Sequence, residues 1–311
     1  MIPGKGPAGV LTAAMAACPG ESVANGTFLD VIGLVKTNLR TCRSWRQFAR
    51  DLLACVTRVR PVFMVDYVHL RRDQVVTLLR AAASLTGVRL LALRFGDCCW
   101  FVANTAELGS MINTCVELGT FPQFIAFERV AGRGLLVPKV ATTPEVQCIR
   151  DQLRSTCRCL ASDLEASTSA SVDAIDISSF CEDAFFPTLS GWLLGYPAVY
   201  VLLAPGLPAH DPQEVSRALS CAELVLFQCR VTCGALGENR PPVRKKEPHA
   251  HDPDVLLAFT VPSMVLSDGA AQAMTVSLEQ AVADRICNAP YGVWGKATVS
   301  TEIKENVGVA L

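Results

Sequence analysis

Charged residues are scarce in this sequence, and neither sign is in excess. Lys, Arg, Asp and Glu make up 18% of the 311 residues, and 28 basic residues against 29 acidic ones leave a formal net charge of −1. Nucleic-acid-binding domains usually carry a clear basic excess, and disordered chains combine high net charge with few apolar residues. The composition therefore excludes a disordered chain and argues against a nucleic-acid partner.

An unbroken apolar segment of membrane-spanning length is also lacking. Residues 184–209 carry no charge, and a membrane helix needs about 20 continuous apolar residues. However, Gly195-Tyr196-Pro197 interrupts this stretch and Pro205-Gly206 ends it, and proline breaks a helix interior. We expect a short helix over 189–194, a buried strand over 198–203 and no membrane partner.

Apolar residues and cysteines are abundant instead. Half of the residues are hydrophobic, the mean hydropathy is +0.32, and 14 residues are cysteine. Cys55, Cys115, Cys148 and Cys229 stand inside apolar periodic stretches, where a thiol packs as a small hydrophobe. So many unpaired thiols favour a reducing compartment, and we expect a soluble intracellular protein of the cytoplasm or nucleus with reduced cysteines.

Hydrophobic periodicity predicts alternating helices and strands from residue 28 onward. The predicted helices cover 28–39, 44–56, 71–83, 107–118, 145–160, 189–194 and 270–287, with another beginning at the cap Asp211. The predicted strands cover 61–65, 89–95, 99–103, 121–130, 198–203, 224–232, 255–261 and 297–303. Ser44 and Gln47 form a possible capping box, and 161–171 is predicted as a loop.

This order predicts the α/β (α+β) class, with a mixed, partly antiparallel sheet and packed helices. The second half repeats the order strand, helix, strand, strand, helix, which suggests two pseudo-repeated units. We expect a flexible N-terminus over 1–20 and a single domain over 21–311 with a flexible loop at 237–254. A doubly wound parallel fold is the alternative.

Four polar side chains near predicted strand ends are the candidate catalytic residues. Asp66 follows the buried strand 61–65 directly, Tyr67 and His69 come next, and Asp97 follows the strand 89–95. Open α/β sheets bind ligands at the carboxyl ends of their strands, so these residues are candidates for a small-molecule site. The alternative is that Asp66 caps the helix that begins near Arg71.

The loop at 237–254 contains the candidate metal ligands His249, His251, Asp252 and Asp254. Alternate spacing in an extended segment places both imidazoles on one side, as a metal site requires. Lys245 and Lys246 are adjacent cations that oppose metal binding, so a solvated polar loop is the alternative.

Two further patterns carry no cofactor or nucleic-acid prediction. Residues 4–9, Gly-Lys-Gly-Pro-Ala-Gly, match the dinucleotide fingerprint by letter, but no strand precedes them, so we expect no cofactor. Arg43, Arg46 and Arg50 share a helical face, but Trp45 and Phe48 lie on the apolar face, where they are not available for base stacking. A solvated helix surface is the expected outcome.

Three segments resemble an uncharacterised vertebrate family named after the chromosome 1 open reading frame of its human member. They are the strand ending in Val65-Asp66-Tyr67, the segment from Phe185 to Pro197, and the tail from Val299 to Leu311. The similarity extends from about Phe28 to the end. It identifies relatives and implies no activity, cofactor or site residue.

Because no coherent catalytic constellation emerges, the leading hypothesis is a noncatalytic interaction or scaffold protein with an unknown protein partner. The alternative is a small-molecule-binding enzyme or hydrolase whose site lies at the strand ends near Asp66.

Overall fold

The computed structural model describes residues 21–96, 99–130, 136–169, 174–180, 185–202, 211–233, 255–267, 269–289 and 293–305. The segments predicted as flexible, 1–20 and 237–254, lie outside these residues.

The described residues form eight α-helices and ten β-strands, and the α/β class is confirmed. The helices are α1 Glu21–Asn38, α2 Trp45–Val56, α3 Arg72–Thr86, α4 Thr105–Val116, α5 Thr143–Ser169, α6 Phe186–Leu193, α7 Pro212–Ser220 and α8 Ala270–Asn288. The strands are β1 Val62–Val65, β2 Leu90–Phe95, β3 Cys99–Asn104, β4 Gln123–Arg129, β5 Leu136–Val140, β6 Ala174–Asp176, β7 Ala198–Tyr200, β8 Leu224–Cys233, β9 Val255–Pro262 and β10 Trp294–Lys304.

Two local predictions were wrong, and two strands were not predicted. Ser44 precedes α2 but makes no side-chain capping bond, so the capping box with Gln47 is absent there. Helix α5 continues through most of the predicted loop 161–171, because Leu164 still packs on the core. Strands β5 and β6 were not predicted. Strand β5 contains Pro138, a residue that argues against a strand except at a sheet edge, and β6 has only three residues.

The strands divide among three sheets with mixed and antiparallel pairing. The orders are β1-β3-β2-β6, β5-β4-β7 and β10-β8-β9. Pairs β2–β6 and β4–β7 are parallel, and the other pairs are antiparallel. The predicted element order does recur, but the pseudo-repeat is not confirmed. In the first unit β1 pairs with β3, whereas the corresponding β7 pairs with β4 in a different sheet.

The first sheet is buried on both faces, which explains why its strands are continuous apolar runs. Along β3, Trp100 and Val102 enter one hydrophobic core, while Phe101 and Ala103 enter the other. This division follows from the two-residue period of a strand. The first of these cores contains residues from Phe28 to Ala297, which supports our proposal of a single domain over 21–311.

A buried hydrogen bond joins distant parts of this core. Trp294 Nε1 donates to Thr57 Oγ1 at 2.8 Å, across 237 positions of sequence. Both residues are buried. The start of β10 is therefore fixed to the end of α2.

The described part of the charge-free stretch, 185–202, forms a short helix and a short strand, as predicted. Helix α6 ends before Gly195, which has a φ of 73°, and β7 follows. A Cβ atom at Gly191 would lie 2.7 Å from Val199 Cγ1, so α6 packs closely on β7 here. Within the described ranges, no helix combines the length and apolarity that a membrane crossing requires.

Cys55, Cys115 and Cys229 are buried, and Cys148 is half-buried. Burial raises the pKa of the Cys229 thiol to about 11. At neutral pH this group is a protonated thiol in the core, which is the environment of a structural cysteine.

Candidate functional site

The candidate residues that follow β1 differ in their exposure and contacts. Asp66 and His69 are exposed, whereas Tyr67 is half-buried and its hydroxyl donates to Asp51 Oδ2 at 2.6 Å. Helix α3 begins after Arg71, whose backbone N–H donates to Gln74 Oε1 at 3.0 Å, so Asp66 is not its cap. Asp97 lies outside the described residues.

The partner of Tyr67 belongs to a buried group of charges, which we call the Asp51 cluster: Arg50, Asp51, Arg60 and Tyr67. Asp51 is 2% exposed and Arg50 is 4% exposed. Arg50 Nη2 lies 3.1 Å from Asp51 Oδ1, and Arg60 Nη1 lies 4.0 Å from the same oxygen. Two guanidinium groups and one phenol therefore stabilise a single buried carboxylate. The predicted solvated face with Arg50 was wrong at this residue.

The Asp51 cluster connects three separate parts of the chain. Asp51 belongs to α2, Tyr67 follows β1, and Arg60 Nη1 also donates to the backbone oxygen of Leu256 in β9 at 2.9 Å. A buried charge is tolerated only when it is paired and hydrogen-bonded. The cluster therefore fixes the first and third sheets relative to α2.

Sequence reasoning overlooked Asp51 and Arg60. A signal for Asp51 does exist, because the acid lies at helical spacing between Phe48 and Cys55, which are both buried. An acid inside an apolar helical stripe indicates a buried partner. Sequence spacing does not identify that partner, since Tyr67 comes from a different element.

Burial raises the pKa of each tyrosine in this region. The pKa of Tyr67 lies well above its usual value because the side chain is buried and its hydroxyl contacts the Asp51 carboxylate. Burial also raises the pKa of Tyr196, while Arg60 opposes this shift and Asp66 adds to it. The pKa of Tyr200 rises to about 12, again through burial.

These shifts predict a cooperative loss of stability in alkali. A phenol whose pKa is raised by folding contributes stability that is present below pH 10 and is lost as the pH rises toward its folded pKa. We expect Tyr67, Tyr196 and Tyr200 to ionise together with unfolding, measured as tyrosinate absorbance beside near-ultraviolet circular dichroism. Tyr67→Phe should remove one tyrosinate from the cooperative step. Titration of all four tyrosines near pH 10 in folded protein would contradict this expectation.

The predicted metal ligands His249, His251, Asp252 and Asp254 lie outside the described residues. Among the side chains that the structure does describe, no three from His, Cys, Asp and Glu cluster closely enough to hold a metal ion.

The last strand offers a different kind of site. We use the term β10 edge for the side of Trp294–Lys304 that faces away from β8. Six residues of β10 have exposed side chains: Lys296, Thr298, Ser300, Thr301, Glu302 and Ile303. Within the described chain, no backbone hydrogen bond outside the ladder with β8 reaches this strand. Unpaired backbone groups at a sheet edge can hydrogen-bond another extended segment.

The other sheet edges are shorter or better protected. Strands β6 and β7 have three residues each, and β5 contains Pro138, which has no N–H to donate. Most residues of β1 and β9 are buried. With 11 residues, β10 is the longest edge strand in the described structure.

Residues 33–303 match the family described as "Domain of unknown function (DUF4504)". The chain belongs to the DUF4504 family. This match confirms membership of an uncharacterised family, and the DUF4504 region includes both the Asp51 cluster and β10 as far as Ile303. Neither a curated protein nor a solved structure matches the chain.

Proposed function

We propose that this protein is a noncatalytic interaction protein that binds an extended segment of a protein partner along the β10 edge. The observation that carries the proposal is the exposed strand Trp294–Lys304 at the margin of the third sheet. A bound segment would add a fourth strand through backbone hydrogen bonds. The exposed Ile303, with 63% of its surface accessible, would supply an apolar contact beside that strand.

The geometry after β1 favours this function over a small-molecule-binding enzyme or hydrolase. A catalytic site there would need Asp66, Tyr67 and His69 to present polar atoms to one ligand. The Tyr67 hydroxyl instead donates to the buried Asp51, and Asp66 and His69 are exposed. Tyr67 thus has a structural partner that explains its position.

We also propose that the protein acts in a reducing compartment, the cytoplasm or the nucleus. Cys55, Cys115, Cys157 and Cys229 are buried thiols that carry no disulfide bond. A protein that keeps several core thiols is suited to a compartment where thiols stay reduced.

Peptide binding tests the interaction function. A displayed library of 11-residue peptides would be selected on the full chain, and enriched peptides would be remade with alternate backbone N-methyl groups. We expect the N-methylated peptides to lose binding, because their side chains are kept while backbone hydrogen bonds to the edge are removed. Equal binding of both forms would overturn strand addition.

A pair of proline variants maps the binding to the β10 edge. Successive residues of a strand direct their N–H groups to opposite sides, so Thr298→Pro and Val299→Pro remove one outward and one inward N–H. We expect one variant to keep the thermal midpoint and lose peptide binding, while the other loses stability. If both variants stay folded and bind peptide like the wild type, the site lies elsewhere.

A further inference from the structure

We propose that the partner at the β10 edge is a second copy of this chain, paired antiparallel through β10 about a two-fold axis at Val299. This inference rests on the proposed function, since it requires the β10 edge to accept a strand. The observation behind it is the distribution of charge along β10. Lys296 and Glu302 lie three residues to either side of Val299, and both are exposed.

Two-fold symmetry restricts the registers that two copies of one strand can adopt. In an isologous pair a residue i of one copy contacts a residue j of the other, residue j contacts residue i in return, and residues directly opposite lie on the same face of the sheet. Residues on one face differ by an even number of positions. Centring the pair on Val299 places Lys296 opposite Glu302 of the second copy, and Thr298 opposite Ser300. The two-fold axis creates each of these contacts twice.

Neighbouring registers lose this complementarity. Centring on Ser300 places Lys296 opposite Lys304, which sets like charges together. Centring on Thr298 leaves Lys296 opposite Ser300. Centring on Ile303 pairs Glu302 with Lys304, but the overlap shortens to residues 301–305. Of these registers, the one centred on Val299 both pairs opposite charges and overlaps over at least seven residues.

Two features of β10 indicate a weak, concentration-dependent dimer. The ladder with β8 is irregular between Trp294 and Ala297, and the alternation of exposed and buried residues begins at Lys296, so the pairing extends no further toward the start of β10 than that residue. Glu302 also contacts Lys304 of its own strand at 2.5 Å, although 58% of its side chain is exposed. A pair of strands buries little surface beside the roughly 1,200–2,000 Å² of stable complexes.

Sedimentation equilibrium of the full chain over a range of concentrations tests the pairing. Lys296→Glu and Glu302→Lys each place like charges at both contacts, and we expect each to weaken dimerisation by about tenfold or more. The double variant Lys296→Glu/Glu302→Lys restores opposite charges and should dimerise like the wild type. An equimolar mixture of the two single variants should form a heterodimer, because each chain then meets its complement.

The outcomes separate this proposal from the proposed function. A wild-type chain that stays monomeric at its highest soluble concentration overturns the dimer, whereas peptide binding at the β10 edge is unaffected by that result. A dimer that is insensitive to Lys296→Glu has a different register or a different face, and overturns the pairing at Val299. Asp73→Lys, a substitution at an exposed residue of α3 outside the third sheet, controls for a general effect of surface charge.

Discussion

Replacing Asp51 with alanine is expected to lower the free energy of unfolding by roughly 3–5 kcal/mol. The substitution leaves the Arg50 guanidinium buried beside Arg60 without the carboxylate that lies 3.1 Å and 4.0 Å from them. It also removes the acceptor of the Tyr67 hydroxyl. Chemical denaturation followed by circular dichroism measures the loss.

Asp73→Ala is the matched control, because it breaks an ion pair of the same chemistry in solvent. The Arg71 and Asp73 side chains are 72% and 70% exposed, so we expect a change of at most about 1 kcal/mol. Asp51→Asn keeps the size and an acceptor for Tyr67 while removing the charge, and should lie between the two. A loss at Asp51 as small as that at Asp73 would show that the carboxylate does not stabilise the arginines.

Replacing Gly191 with alanine is expected to destabilise the fold by about 1–3 kcal/mol through overpacking. The added methyl group would lie 2.7 Å from Val199 Cγ1 and 3.2 Å from Val199 Cβ, so helix α6 must move away from β7. Thermal and chemical denaturation report the change.

A compensating substitution distinguishes this clash from a general effect of alanine. Val199→Ala removes the Cγ1 methyl group that would lie 2.7 Å from the new Cβ, so Gly191→Ala/Val199→Ala should be more stable than the sum of the single changes predicts. Gly33→Ala in α1 is the matched control, since nothing lies within 4 Å of its added Cβ. That variant should be neutral or slightly stabilising, because alanine favours a helix. Additive losses would contradict the clash.

Much of the fold follows from local pattern. The helix cap at Asp211, whose side chain accepts from the Gln213 N–H at 2.9 Å, was visible as an Asp-Pro pair before an amphipathic segment. The buried strands were visible as apolar runs. Strand β6 was not visible, because three residues are too few to show a period. Its pairing with β2 also joins residues far apart in sequence, since the contact of Arg94 with Asp176 spans 82 positions.

The candidate sites were harder to predict for the same reason. Asp66 was singled out because it follows a strand, but the buried charge lies on Asp51, and its partners come from α2, from the segment after α2 and from the segment after β1. The final strand was predicted, but its position at an edge depends on the pairing of β8 with β9 and β10. Local periodicity carries no information about which strand lacks a second neighbour.

The hydrogen bond between Trp294 and Thr57 cannot form until most of the chain has been synthesised. Ribosomes add about 5–20 residues per second, so the 237 positions between the two residues take roughly 10–50 s to emerge. During that interval α2 and β1 are already outside the ribosome, while the strands that complete their core are still being made. The newly made N-terminal half therefore keeps apolar surface exposed until the C-terminal strands arrive.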